Sequence, residues 1–153
     1  MCARIPLVLA ALVFSVAVQA QTETAACPQV RGSYKCDHTA FVQSLSAART
    51  VALETRPYDR NGQRELAELA VHLGKTIATT NADLLFRLER PDLQSPIYYG
   101  PNSRVLAVLR IYSRGKQGSR GPLIWTESLT GQPGLPWPIV VHQIIRQFRS
   151  DTR

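Results

Sequence analysis

The stretch RVLAVLRIYSRGKQGSRGPLIWTESL, residues 104–129, decides the fold. VLAVLRIY (105–112) is the most strand-like run in the chain, dense in β-branched and apolar residues, and LIWTESL (123–129) is its natural partner. Between them, residues 113–121 hold three glycines and nothing that would bury, so the pair reads as a β-hairpin.

Upstream of the hairpin, DLLFRLE (83–89) alternates, with Leu84, Phe86 and Leu88 on one side and Leu85, Arg87 and Glu89 on the other. Ahead of it, residues 63–79 repeat at helical period, Leu66, Leu69, Ala70, Leu73 and Ile77 forming one stripe. TVALET (50–55) alternates again, Val51 and Leu53 opposite Ala52 and Glu54, and is stopped by Pro57, Asp59, Asn61 and Gly62. A strand, a helix and a strand in this span make a βαβ unit with parallel strands and a right-handed crossover. Downstream, residues 131–136 form a Gly/Pro turn, and Pro138 opens a helix over 138–149 with Val141, Ile144, Ile145 and Phe148 on one face. Trp137 is expected to pack at its start. A short helix with Phe41 and Leu45 four apart, capped by Asp37 or Thr39, comes before all of these. The predicted order is (α)-β-α-β-β-β-α. This is an α+β, two-layer sandwich: a four-stranded mixed sheet carrying two main helices on one face.

The first 20 residues read as an export signal. Arg4 supplies the positive end, residues 6–17 the apolar core, and Val18-Gln19-Ala20 the small-residue cut. The 133 residues left make one domain, with 21–48 as an N-terminal arm and 49–150 as the α/β domain. No transmembrane segment is expected in the mature chain. Export to an oxidising compartment predicts a disulfide between Cys27 and Cys36, clasping the arm. The formal charge of +7 falls to +6 once Arg4 is gone. It is spread along the chain without a polybasic block, which suits either solubility or attraction to an anionic surface.

Strand parity suggests a charged outer lattice of Glu54, Arg87, Glu89, Arg110 and Glu127, with Tyr112 and Trp125 on the same side. Arg110, Tyr112 and Trp125 together have the composition of an interaction face. The alternative is that Trp125 turns inward through a bulge, or is covered by the N-terminal arm. Arg114, Lys116 and Arg120, set among glycines at the hairpin tip, could hold an anion or simply end a flexible hairpin. Tyr98-Tyr99-Gly100-Pro101, inside the long loop 91–103, is expected to cover the core.

No pattern names a chemistry. Gly74-Lys75-Thr76 lacks the leading glycine of a phosphate-binding loop, since Leu69 stands there. His38, His72 and His142 fall on separate elements without metal-ligand spacing, so neither metal nor cofactor is expected. There is no GxSxG, and no stacking aromatics accompany the basic loop, which argues against specific nucleic-acid binding. A hydrolase of anionic envelope polymers would need Glu127 or Asp83 beside a histidine in a pocket.

The succession RTVALE, helix, ADLLFRLE, VLAVLRIYSR and PLIWTESLTG, across residues 49–149, resembles small bacterial envelope domains. TolB N-terminal-like domains and related periplasmic lipoproteins of unknown function are of this kind. The resemblance implies a non-catalytic α/β module engaged in envelope assembly or protein contact, and it brings no set of functional residues. One departure is that no cysteine stands at the expected cut. The combined expectation is an exported, periplasmic or secreted accessory module with a protein partner in the envelope.

Overall fold

The computed structural model describes residues 27–30, 33–91, 104–115 and 119–152. The expected export signal, the loop carrying Tyr98 and Tyr99, and Lys116 lie outside them. Cys27 and Cys36 are joined by a disulfide across a two-stranded ribbon, β1 (Gln29–Val30) and β2 (Ser33–Tyr34). Helix α1 (His38–Ala47) follows, and the Asp37 side chain accepts the Ala40 amide at 3.1 Å as its cap.

The main sheet has five strands in the order β4-β3-β5-β6-β7. These are β3 (Thr50–Glu54), β4 (Thr76–Ile77), β5 (Leu84–Glu89), β6 (Arg104–Arg114) and β7 (Arg120–Gly131), with α2 (Arg60–His72) between β3 and β4 and α3 (Trp137–Asp151) last. As the alternation and period predict, β3 and β5 run parallel and β6 and β7 form an antiparallel hairpin, and β5 pairs antiparallel with β6. The helices share one core with the inner sheet face, in which Phe41, Leu66, Phe86, Leu109, Ile111, Ile144 and Phe148 are fully buried. Phe148 meets Phe41 and Phe86 edge-on, with centroids 5.9 and 6.5 Å away, so one aromatic run ties α1 to α3 and the sheet. The architecture is the expected mixed α+β, with one strand more than predicted.

The extra strand comes from a helix that stops early. The stripe 66, 69, 70, 73, 77 suggests a helix to residue 79, but Gly74 takes φ +68, a conformation that costs glycine nothing. The Lys75 amide then donates to the Ala70 carbonyl at 2.8 Å and the Gly74 amide to that of Val71 at 2.9 Å, the paired bonds that close a helix end. Released from the helix, Thr76 and Ile77 pair with Thr50 and Val51, and Ile77 is 44% exposed rather than part of the stripe. Lys75 turns back, its Nζ donating to the carbonyls of Leu45 and Ala48 at 2.6 and 2.7 Å, so it caps α1.

Gly62, in the first turn of α2, lets that turn approach β5. A Cβ there would stand 3.1 Å from Leu88 and 2.3 Å from the Asp59 carboxylate, whose Oδ1 accepts the Gly62 amide at 2.9 Å as the helix cap.

Candidate functional site

All three helices lie on the inner face of the sheet, so side chains of the other parity meet no described helix. Register sets a row across it: Glu54 opposite Arg87, Arg87 opposite Arg110, Arg110 opposite Thr126. Two arginines directly across a ladder repel. Glu89, two residues along β5 from Arg87, resolves this by giving one oxygen to each: Arg87 Nε at 2.6 Å and Arg110 Nη1 at 2.5 Å. Glu54 is likewise shared, by Arg87 Nη1 at 3.5 Å and by Arg120 Nη2 at 3.2 Å. On its way to Glu54 the Arg120 guanidinium passes 4.9 Å from the centre of the Tyr112 ring, a cation–π contact that folds the hairpin tip over the face.

Two clefts open on this face. One, of about 490 Å³ at the carboxyl ends of β3 and β5, is lined by Arg56, Arg87, Arg90 and Arg110 with Glu54 and Glu89. The other, of about 400 Å³ at the opposite end, is lined by Arg114, Arg120, Asn81 and the hydroxyl-bearing Thr79, Thr80, Ser113 and Ser119. Arg114 donates to Asn81 Oδ1 at 3.0 Å, and Asn81 holds a positive φ of 55°. Among the described residues, six guanidinium groups and two carboxylates stand around the two clefts, and both carboxylates are already shared. The face is cationic. A third cleft, between α2 and α3, is lined by Glu65, Glu68, His142, Arg146 and Arg149, with His142 Nδ1 3.6 Å from Glu65.

Of the expected interaction face, Arg110 and Tyr112 lie outward and Trp125 does not. Trp125 pairs with Ile111, which is fully buried, and its ring stacks on Phe41 with centroids 4.7 Å apart. His38 closes over its edge at 5.6 Å, so α1 of the N-terminal arm covers it. Glu127 is also inward, opposite the buried Leu109 and only 9% exposed. Trp125 thus follows the alternative reading, covered by the N-terminal arm, while Glu127, expected outward, shares the same inner side. Trp125 and Leu129, both packed against the core, flank Glu127 at two-residue steps along β7 and draw it in with them. Between Trp125 and Leu123 the register skips Ile124, a bulge that turns this extra residue inward as well, where it is 5% exposed.

The inner Glu127 accepts a hydrogen bond from Gln147 Nε2 of α3. Burial pushes its carboxyl above the ordinary range, the Gln147 bond opposes that rise, and the nearby Asp151 adds to it. Asp83 has a different task. Its Oδ2 accepts the amides of Arg49 and Thr50 at 2.9 and 3.0 Å and the Thr50 hydroxyl at 3.0 Å, tying β5 to the start of β3. These donors, the Arg49 amide foremost, hold its carboxyl below the usual range. Neither acid lines any of the three clefts. Among the described residues no group of three His, Cys, Asp or Glu is placed to hold a metal ion, and no helix is long and apolar enough to cross a membrane.

No family model matches the chain, and no curated protein matches it. Among solved structures it is similar to a minor lipoprotein of Acinetobacter baumannii at 16% identity and a TM-score of 0.38, across 69% of this chain and 92% of that one. A candidate lipoprotein from Caulobacter crescentus CB15 is similar at 18% identity and a TM-score of 0.32, across 73% and 91%. Likenesses this distant carry no argument about what the chain does.

Proposed function

We propose that this chain is an exported accessory module of the bacterial cell envelope that binds an acidic segment of a protein partner on the open face of its sheet. The observation that carries this reading is the unequal charge around the two clefts. Among the described lining residues, Arg56, Arg87, Arg90, Arg110, Arg114 and Arg120 outnumber the acids Glu54 and Glu89. Guanidinium groups engage carboxylates through paired N–H donors, and a sheet face offers several of them at fixed spacing. The apolar N-terminal segment, the disulfide and the pattern shared with TolB N-terminal-like envelope domains support the exported setting.

The test is direct titration with a glutamate-rich peptide, beside a lysine-rich peptide of equal length. Arg114→Glu combined with Arg120→Glu should weaken the acidic peptide by about tenfold or more, since two charge-assisted contacts are lost. The melting temperature should barely move, because both side chains are exposed. Equal binding of the two peptides, or no response to the charge reversal, would remove the reading.

A further inference from the structure

The turn after β3 closes with the Asp59 amide donating to the Arg56 carbonyl at 3.1 Å, which sets Tyr58, behind Pro57, in the left-handed region. Tyr58 holds φ 65° and is 99% exposed. A tyrosine in the left-handed region is strained, and here no packing of its ring offsets that strain. Its neighbours are firmly held. Asp59 Oδ1 accepts both the Gly62 amide and Trp137 Nε1, each at 2.9 Å, fastening the turn to the start of α3. The Arg90 guanidinium lies 5.3 Å from the Trp137 ring centre, and Arg56 Nη2 donates to the Arg90 carbonyl at 2.6 Å.

Three stretches distant in sequence, 56–60, 90–91 and 135–139, therefore make one tip at the end of the molecule. Leu135 and Ile139, 39% and 46% exposed, flank Trp137 there, and Pro57, Pro136 and Pro138 are exposed beside them. Arg56, Arg60 and Arg90 are the exposed cations. Asp59 is the carboxylate within these three stretches, and two N–H donors already occupy it.

We propose that this tip docks on an anionic lipid surface. Tyr58, Leu135 and Ile139 enter the head-group region while the three arginines meet the lipid phosphates. A protein pocket must be shaped to receive a protrusion, whereas a lipid surface yields to one, and Tyr58 protrudes completely. Tyrosine and tryptophan prefer the boundary between apolar and wet surroundings, and arginine is drawn to an anionic leaflet. The turn of Pro57 and Tyr58 presents the ring outward. This contact has Arg56 and Arg90 in common with one cleft of the sheet face and differs from it by Arg60 and the three apolar residues, which only the vesicle test probes.

The test uses the purified exported protein with vesicles of mixed phosphatidylglycerol and phosphatidylcholine, and with phosphatidylcholine alone. Wild type should partition to the anionic vesicles only. Tyr58→Ser with Ile139→Ser should lower that partitioning by about tenfold or more at unchanged melting temperature. Wild type and variant share the same segment ahead of residue 27, so any contribution it makes cancels. Tyr58→Gly, which relieves the strained φ, should raise the melting temperature and still lose vesicle binding. In Tyr58→Trp, emission above the wild-type background should shift to the blue on anionic vesicles. Failure of wild type to partition, partitioning by the double variant equal to wild type, or unshifted emission at position 58 would each overturn the proposal. A tip that binds a protein instead would give the first of these results.

Discussion

Glu89 and Glu127 sit on opposite faces of one sheet, and the fold treats them in opposite ways. Glu89 is surrounded by cations, with a guanidinium on each oxygen and a side chain 25% exposed. Glu127 is 9% exposed among Gln147, Trp125 and Asp151, none of them a cation, and burial raises its carboxyl. The outer acid separates two arginines that register forces together. The inner acid is carried along by the apolar residues that alternate with it. Charge on the outer face is organised into shared ion pairs, whereas the inner face holds a carboxyl whose ionised form burial disfavours.

The largest effect should come from the inner face. Phe148→Ala removes a fully buried ring that touches both Phe41 and Phe86, leaving a cavity where α1, α3 and the sheet converge. A loss of about 3–5 kcal/mol in urea unfolding is expected. No single substitution among the outer arginines should approach that value, because exposed ion pairs contribute little each.

Glu127→Gln should give a smaller effect of the other sign, stabilising by about 1 kcal/mol at neutral pH because the Gln147 bond survives without a desolvated charge. The pH dependence follows from the raised carboxyl. Between its ordinary and its raised pKa the folded state holds more protons than the unfolded chain. Wild-type stability therefore falls as pH climbs through that window. The variant should lose this downward slope. Asp83, held low, acts in reverse: its contribution is present above the ordinary carboxylate range and is lost as pH falls through the lowered pKa. Unfolding curves at several pH values, for wild type and Glu127→Gln, separate the two acids.

Much of this layout is legible in the residues, and the misses have physical causes. The hairpin, the parallel β3 and β5 and the apolar stripes of α2 and α3 follow from period and turn chemistry, because burial writes itself into alternation. The end of α2 escaped, since Leu73 and Ile77 continue the stripe while the stop is a left-handed glycine, which weighs little in a periodicity argument. The facing of β7 escaped because parity orders a strand's residues without saying which side meets the helices. Only the pairing of Ile111 with Trp125 and the stacking on Phe41 decide that. Arg110 and Tyr112 were legible as outward residues, whereas the reach of Arg120 across Tyr112 to Glu54 was not, since it joins β7 to β3 across two intervening strands. The tip at Tyr58 was not, since it joins three stretches that only the tertiary fold brings together.

The finest test of the contrast is Glu89→Gln. It removes the carboxylate between Arg87 and Arg110 while keeping the size of the side chain, so the two cations face each other across β5 and β6 with Glu54 on one flank only. Stability should fall by about 0.2–1 kcal/mol at low salt, and the difference should shrink as salt screens the repulsion. Binding of the glutamate-rich peptide should move the other way and tighten, because the face gains a full positive charge and frees two guanidinium groups. A variant that loses both stability and peptide affinity would place Glu89 among the contacts of the partner, and the outer charges would then form a fixed recognition pattern rather than a cationic bed.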